Sequence, residues 1–189
     1  WDELAEPMWE KAKEEYFSEV DSTRDFYILQ ALIHEGIHLN GHKIFADLGD
    51  KLELFKSGID YRKRGDIHED LFEGINEGIT ETFKGEILRT NFDRIQENFP
   101  DFKQEFLRRY QAYDIQMAVL DGLIQSISEN TDISKTEVWQ KFKDSQIKGD
   151  QFAYREIAKD LKGEGLKELA ELDFKDEDQV DSFMERYMS

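Results

Sequence analysis

Two histidines four residues apart, with a glutamate directly after the first, stand at His34-Glu35-Gly36-Ile37-His38. On an α-helix that spacing stacks both imidazoles on one face, a turn apart, so both can reach a single divalent metal. The intervening glutamate then faces the water such a metal would hold. A second acidic motif follows at Asn76-Glu77-Gly78-Ile79-Thr80-Glu81. The chemistry these types suggest is metal-assisted hydrolysis. His34 and His38 are the expected ligands. Glu35 is the expected general base, taking a proton as an oxygen attacks a carbonyl and delivering it to the leaving amine. With 4 His and 23 Glu in 189 residues, chance yields the five-residue pattern in about one chain in a hundred, so the surroundings decide its weight.

Those surroundings read as helix. Ser22 can cap a start, with Asp25 three residues on, and Phe26, Leu29, Leu32, Ile33, Ile37 and Leu39 make a mostly apolar run through the motif. The histidines are therefore expected on a buried-facing helix. Upstream, residues 3–19 read as another helix, with Met8, Trp9, Ala12 and Tyr16 on one side, and Asp21 to Arg24 break it from the motif helix.

From Asn40 the pattern loosens through Gly41, Gly49, Gly58 and Gly65, and Ser57 to Arg62 reads as a short strand or an ordered loop. A helix then carries Asn76 to Glu81 and runs past Phe83, Ile87 and Leu88; Pro100 ends whatever continues through Phe92 and Ile95. Phe102, Phe106, Tyr110, Tyr113, Met117, Leu120 and Ile124 recur at three and four, as one buried stripe does. A Ser134 to Glu137 capping box opens a further helix with Val138, Trp139 and Phe142, and weaker ones follow around 151–161 and 177–187. Period-two alternation is scarce, so any sheet is small.

The chain has no cysteine, which removes disulfides and thiolate ligands and leaves His, Glu or Asp to hold any metal. A net charge of -18 and a pI near 4.6 argue against nucleic-acid phosphate or an anionic membrane as partner. The acidic residues are spread along the chain, as a solvated surface would have them. No run has the length of a membrane span, and no apolar signal core opens the sequence. It begins at Trp1, so a trimmed or processed N-terminus is expected, and both a cytoplasmic and an exported or delivered protein stay open.

The third ligand separates the families that use this motif. Metzincins need Gly at 41 and His at 44; Gly41 is present, but position 44 is Ile, so Gly41 and His42 read as the end of the helix. Peptide deformylase would need a cysteine ligand. The chain resembles the gluzincin metallopeptidases, in which a glutamate on a following helix completes the site, often within Asn-Glu-x-x-x-Asp/Glu; Asn76, Glu77 and Glu81 match that pattern. The resemblance covers residues 22 to 125 and is greatest to compact bacterial and phage members with an Asn-Glu-Gly-x-Thr-Glu signature.

By that resemblance Glu77 is the third zinc ligand, Glu81 a carboxylate orienting a ligand histidine, and Asn76 a support to the same shell. Glu73, in a near-duplicate Glu-Gly-Ile, is the alternative ligand. Tyr113 corresponds to the tyrosine that polarises the oxyanion, with Tyr110 and His68 as rivals, although Tyr113 also fits the apolar stripe. Between His38 and Glu77 lie 38 residues, more than in thermolysin-like proteins, so the segment from Ser57 to Asp70 must loop out or wall a cleft.

The resemblance thus implies a mainly α, zincin-like fold with a small or vestigial sheet. It would be a single domain over 1–189, with the metal site in 1–99 and a helical subdomain in 100–189 lining the other side of the cleft. It implies a zinc-dependent endopeptidase acting on a peptide or protein substrate. Two alternatives stay open: a zinc-stabilised binding or regulatory module, closed by a fourth ligand such as His42 or Glu73, and a delivered bacterial toxin or effector protease.

Overall fold

The computed structural model describes residues 24–47, 52–62, 70–98, 100, 113–161 and 164–188. The expected helix over 3–19, the Ser22 cap, His68, Tyr110 and the Phe102 to Tyr110 part of the stripe lie outside them. The fold is mainly helical with one small sheet. Helix α1 (Arg24–Asn40) leads into strands β1 (Lys43–Asp47), β2 (Leu52–Ser57), β3 (Asp60–Arg62) and β4 (Asp70–Leu71). Helices α2 (Glu73–Thr90), α3 (Phe92–Asn98), α4 (Asp114–Asn130), α5 (Lys135–Lys148), α6 (Phe152–Leu161), α7 (Glu164–Ala170) and α8 (Glu177–Tyr187) follow. Among the described residues no helix is long and apolar enough to cross a membrane.

Between the two motifs the described residues form a four-stranded antiparallel sheet in the order β1-β2-β3-β4. β2 and β3 join through Gly58 and Ile59, Ser57 opposite Asp60. Gly58 takes φ +61°, which a two-residue turn of this kind needs at its first position and glycine adopts at no steric cost. The turn is docked from below: buried Gln146 of α5 accepts from the Ile59 N–H at 3.3 Å, and its own carbonyl accepts from the His42 N–H at 2.9 Å. The sheet is thereby tied to the end of α1 and the end of α5.

α2 is the central helix. It packs on α1, α3, α4, α5 and β3, and Ile75, Asn76, Gly78, Ile79, Thr80, Glu81, Lys84, Gly85 and Leu88 are all buried on it. Its start carries no side-chain cap. Instead Phe72 turns into the left-handed region at φ 67°, its N–H bonded to the Ala170 carbonyl and its own carbonyl receiving the Asn76 N–H. Farther along, Glu86 reaches α5, accepting from Trp139 Nε1 at 3.0 Å and from Lys143 Nζ at 2.9 Å.

The main core draws Ile75 and Ile79 of α2 together with Val119, Leu120, Leu123 and Ile127 of α4, Phe142 of α5, Ile157 of α6 and Phe183 of α8. It therefore takes residues from both sides of Pro100. A second, smaller cluster of Phe26, Leu88 and Ile95 joins α1, α2 and α3.

The expected cap at Ser134 forms, accepting from the Glu137 N–H, and α3 stops at Asn98 ahead of Pro100. Two expectations are corrected. The apolar face of α1 is narrower than its composition: Phe26, Gln30 and Ile37 are buried, whereas Leu32 and Leu39 face outward, Leu39 at 73% exposure. Tyr113 is the residue before α4 and no part of its buried stripe, which runs Val119, Leu120, Leu123, Ile124 and Ile127. The helix at Glu164–Ala170 was not expected, because seven residues with two glycines nearby carry too short a pattern to read.

Two of the three Glu-Gly-Ile sequences, at Gly36 and Gly78, make a testable contrast. A Cβ at Gly78 would stand 2.7 Å from the Gln116 carbonyl oxygen, where α2 and α4 approach, whereas one at Gly36 would meet nothing within 4 Å among the described residues. Gly78→Ala is expected to cost about 1–3 kcal/mol through overpacking, and Gly36→Ala to add up to about 1 kcal/mol through helix propensity. Denaturant unfolding of the two variants checks this; equal effects would mean that α2 and α4 are not in close contact there.

Candidate metal centre

The buried stripe of α1 runs Phe26, Gln30 and Ile37, with Ile33 partly buried beside it, and His34 and His38 sit on its edge facing α2. Glu77 on α2 meets them. His34 Nε2 lies 3.1 Å from His38 Nε2 and 3.1 Å from Glu77 Oε2, and His38 Nε2 lies 3.2 Å from Glu77 Oε1. These three residues form the one group of potential metal ligands found among the described residues.

The triangle fits an ion. Ligand atoms held 2.0–2.1 Å from a tetrahedral zinc stand about 3.3 Å apart, close to the edges observed here. Three lone-pair donors at such distances repel unless a cation or protons lie between them. Burial pulls the His34 imidazole down, but hydrogen bonds and charge from Glu77 and Glu81 outweigh it and push the ring up to about 9. For Glu77 burial works upward, and hydrogen bonds and charge from His34 and His38 overcome it, bringing the carboxyl down to about 2.

Both imidazoles are oriented from behind. Glu81 Oε2 lies 3.2 Å from His34 Nδ1, and its other oxygen accepts from Lys84 Nζ. The Asn76 amide faces His38, Nδ2 standing 3.4 Å from Nδ1, while the buried Oδ1 has no partner among the described residues. When His38 binds through Nε2, its Nδ1 carries hydrogen, and a half-turn of the amide lets Oδ1 accept it, satisfying both groups.

Tyr113 comes to the centre from the start of α4. Its ring stacks on His34 with centroids 5.6 Å apart and planes 14° from parallel. Burial, then the charges of Glu77 and Glu81, a hydrogen bond to Glu77 and the charge of Glu35 push the phenol up to about 12, so it remains a proton donor at neutral pH. Glu35 itself is exposed on α1. A cleft of about 740 Å³ opens from Glu77 and Tyr113 along Glu73 and Gly74, and its far wall is Leu169, Phe174 and the chain between them.

The structure thus brings together His34, His38, Glu77, Glu81, Asn76 and Tyr113. It leaves the two candidate fourth ligands outside the triangle. Glu73 is exposed, one turn before Glu77 in the cleft, and the His42 ring packs against Gly149 at the end of α5. The wall from 169 to 175 comes from residues expected only to line the cleft in general terms. Lys84 was not expected at all; the signal was its place three after Glu81, the spacing of an ion pair on one helix face. In comparison with known proteins, the chain matches no family model, no curated protein and no solved structure.

A chain loaded with zinc is expected to retain about one ion, and His34→Ala, His38→Ala and Glu77→Ala each to lose it. Glu73→Ala and His42→Ala should keep it. Metal content after exhaustive dialysis decides; retention in Glu77→Ala together with loss in Glu73→Ala would move the third ligand one turn back.

Proposed function

We propose that this chain is a zinc-dependent metallopeptidase with a gluzincin-like site, hydrolysing peptide bonds with Glu35 as general base. What carries the reading is the three-donor triangle of His34, His38 and Glu77, whose Glu77 borders a cleft together with the half-buried Tyr113 phenol, on which the charge of the exposed Glu35 also acts. Three protein ligands leave a coordination place open, whereas structural zinc is usually closed by four. Neither His42 nor Glu73 lies within the triangle, and this favours catalysis over a zinc-stabilised binding module.

Zinc held by these residues would supply a polarised water and an electrophilic contact for a carbonyl oxygen. The chain's own groups do the rest. Glu35 accepts the water proton at its carboxylate as the C–O bond forms, and returns it to the amine nitrogen as the C–N bond breaks. The Tyr113 phenol donates a hydrogen bond to the oxygen that becomes anionic. Glu81 and Asn76 hold the imidazoles in the tautomer that leaves Nε2 free. The cleft gives an extended peptide a place beside Glu77, with Glu73 one turn along its wall. A delivered toxin or effector protease would use the same machinery, and no feature of the site selects that role.

Glu35→Gln is expected to keep zinc and thermal stability while peptide hydrolysis falls by roughly a hundred- to ten-thousand-fold. A peptide library read by mass spectrometry supplies the substrate, and unchanged turnover in the variant would take Glu35 out of the mechanism.

Tyr113→Phe keeps the ring that stacks on His34 and removes only the donor. It is expected to lower kcat about a hundredfold with KM and zinc content nearly unchanged. Full activity would leave Tyr113 a packing residue.

A further inference from the structure

We propose that Lys84 is a positioning residue for the metal centre, acting through Glu81 to keep His34 turned with Nε2 toward the ion; the inference rests on the metal-site reading above. Lys84 lies one turn beyond Glu81 on α2. The lysine is 5% exposed and the glutamate 1%. The two oxygens of Glu81 are divided between two partners: one accepts from Lys84 Nζ, and the other faces His34 Nδ1 at 3.2 Å. Glu81 is the one acceptor Lys84 has among the described residues.

A buried ammonium is costly without a partner, and an apolar side chain of similar length would fill the same space at no such cost. The charge therefore needs a reason, and the geometry offers one. A carboxylate with a single partner can swing about its terminal torsion, which has broad, shallow minima. A second partner on Oε1 fixes the plane of the group and leaves Oε2 aimed at the imidazole as an acceptor. An acceptor at Nδ1 requires Nδ1–H, and that tautomer presents the Nε2 lone pair to the metal. Among the described residues His38 has only the neutral Asn76 amide behind it, so the charged, buried pair makes His34 the more firmly oriented of the two.

The test is zinc affinity of the full chain, measured by competition with a chromophoric chelator. Lys84→Met is expected to weaken zinc binding by about ten- to a hundredfold, and Lys84→Arg, which restores the charge, to recover most of the loss. In a Glu81→Gln background Lys84→Met should add little, because its effect passes through the carboxylate. In the zinc-loaded protein the His34 Nδ1–H resonance should move upfield and exchange faster in Lys84→Met, with that of His38 unmoved. A merely structural lysine would not single out one imidazole. If Lys84→Met does not fold, Lys84→Gln carries the same comparison. Affinity equal to the parent, full additivity with Glu81→Gln, or an unchanged His34 signal each overturns the role of Lys84. A parent chain that binds no zinc overturns both this role and the metal centre itself, so the two failures are told apart.

Discussion

Bringing two imidazoles and a carboxylate within 3.2 Å of one another is unfavourable until something positive lies among them, and the architecture has to supply the force that holds them there. Each group loses hydration, and their lone pairs converge. The local response to that convergence is a charge pairing, the His34 imidazole pushed up to about 9 and the Glu77 carboxyl held down to about 2. The remaining cost must be met by packing elsewhere. The Phe26, Leu88 and Ile95 cluster holds α1 on α2, and the larger core holds α2 on α4, so neither helix can withdraw its ligands without exposing apolar surface.

α2 carries the heavier demand. It presents Glu77 to the candidate metal position, Asn76 and Glu81 to the backs of the two imidazoles, and Gly78 to the backbone of α4. Four successive roles within six residues fix both its rotation and its height. Rotation is set where Gly78 lets Gln116 approach, since a side chain there would push the helix off α4. Height is set at the first turn, where Phe72 accepts a left-handed backbone to bond Ala170. A non-glycine residue held in that region stores strain of order 1–3 kcal/mol, and such strain persists only where the surrounding structure over-determines it. Here the over-determination comes from the same chain segment that forms the far wall of the cleft, so the register of the third ligand and the shape of the cleft are coupled.

Much of the site could be read from residue spacing, because spacing on a helix is geometry. The four-residue step from His34 to His38 and from Glu77 to Glu81 says which groups share a face without any knowledge of the rest of the fold. The Ser134 cap was readable for the same reason, its partner being three residues away. What could not be read depended on contacts distant in sequence. Leu32 and Leu39 look as apolar as Ile33 and Ile37, and only the placement of α2 decides which pair is covered. Tyr113 continues the three-and-four pattern of its helix, yet it lies before the first turn, where it is free to stack on His34. A small sheet was expected, but its strands other than Ser57 to Arg62 could not be placed, because they are short and the β1–β2 pairing carries a bulge opposite Ile44 and Phe45, where the extra residue Phe55 breaks the alternation. Lys84 was concealed by its type: a lysine on a helix in a chain with 36% charged residues reads as surface.

Burial differs among the three glutamates in step with the three roles proposed for them. Glu35 is exposed, Glu77 half-buried and Glu81 almost wholly enclosed. A carboxylate that takes up and gives back a proton within one cycle needs a protonated form that costs little, which hydration and freedom of movement provide; enclosure against a fixed cation would remove both. A ligand needs one side open to the ion and the other anchored. A group that only orients its neighbour gains from having neither solvent nor freedom, and a lysine at its back takes away the remaining rotation. If the assignments were exchanged, each environment would work against the role given to it. An enclosed, lysine-bound Glu81 could not release a proton to a departing amine, and an exposed Glu35 could not hold an imidazole still. The gradient of enclosure across these residues is thus an independent argument for their roles, made without reference to the motif that first drew attention to them.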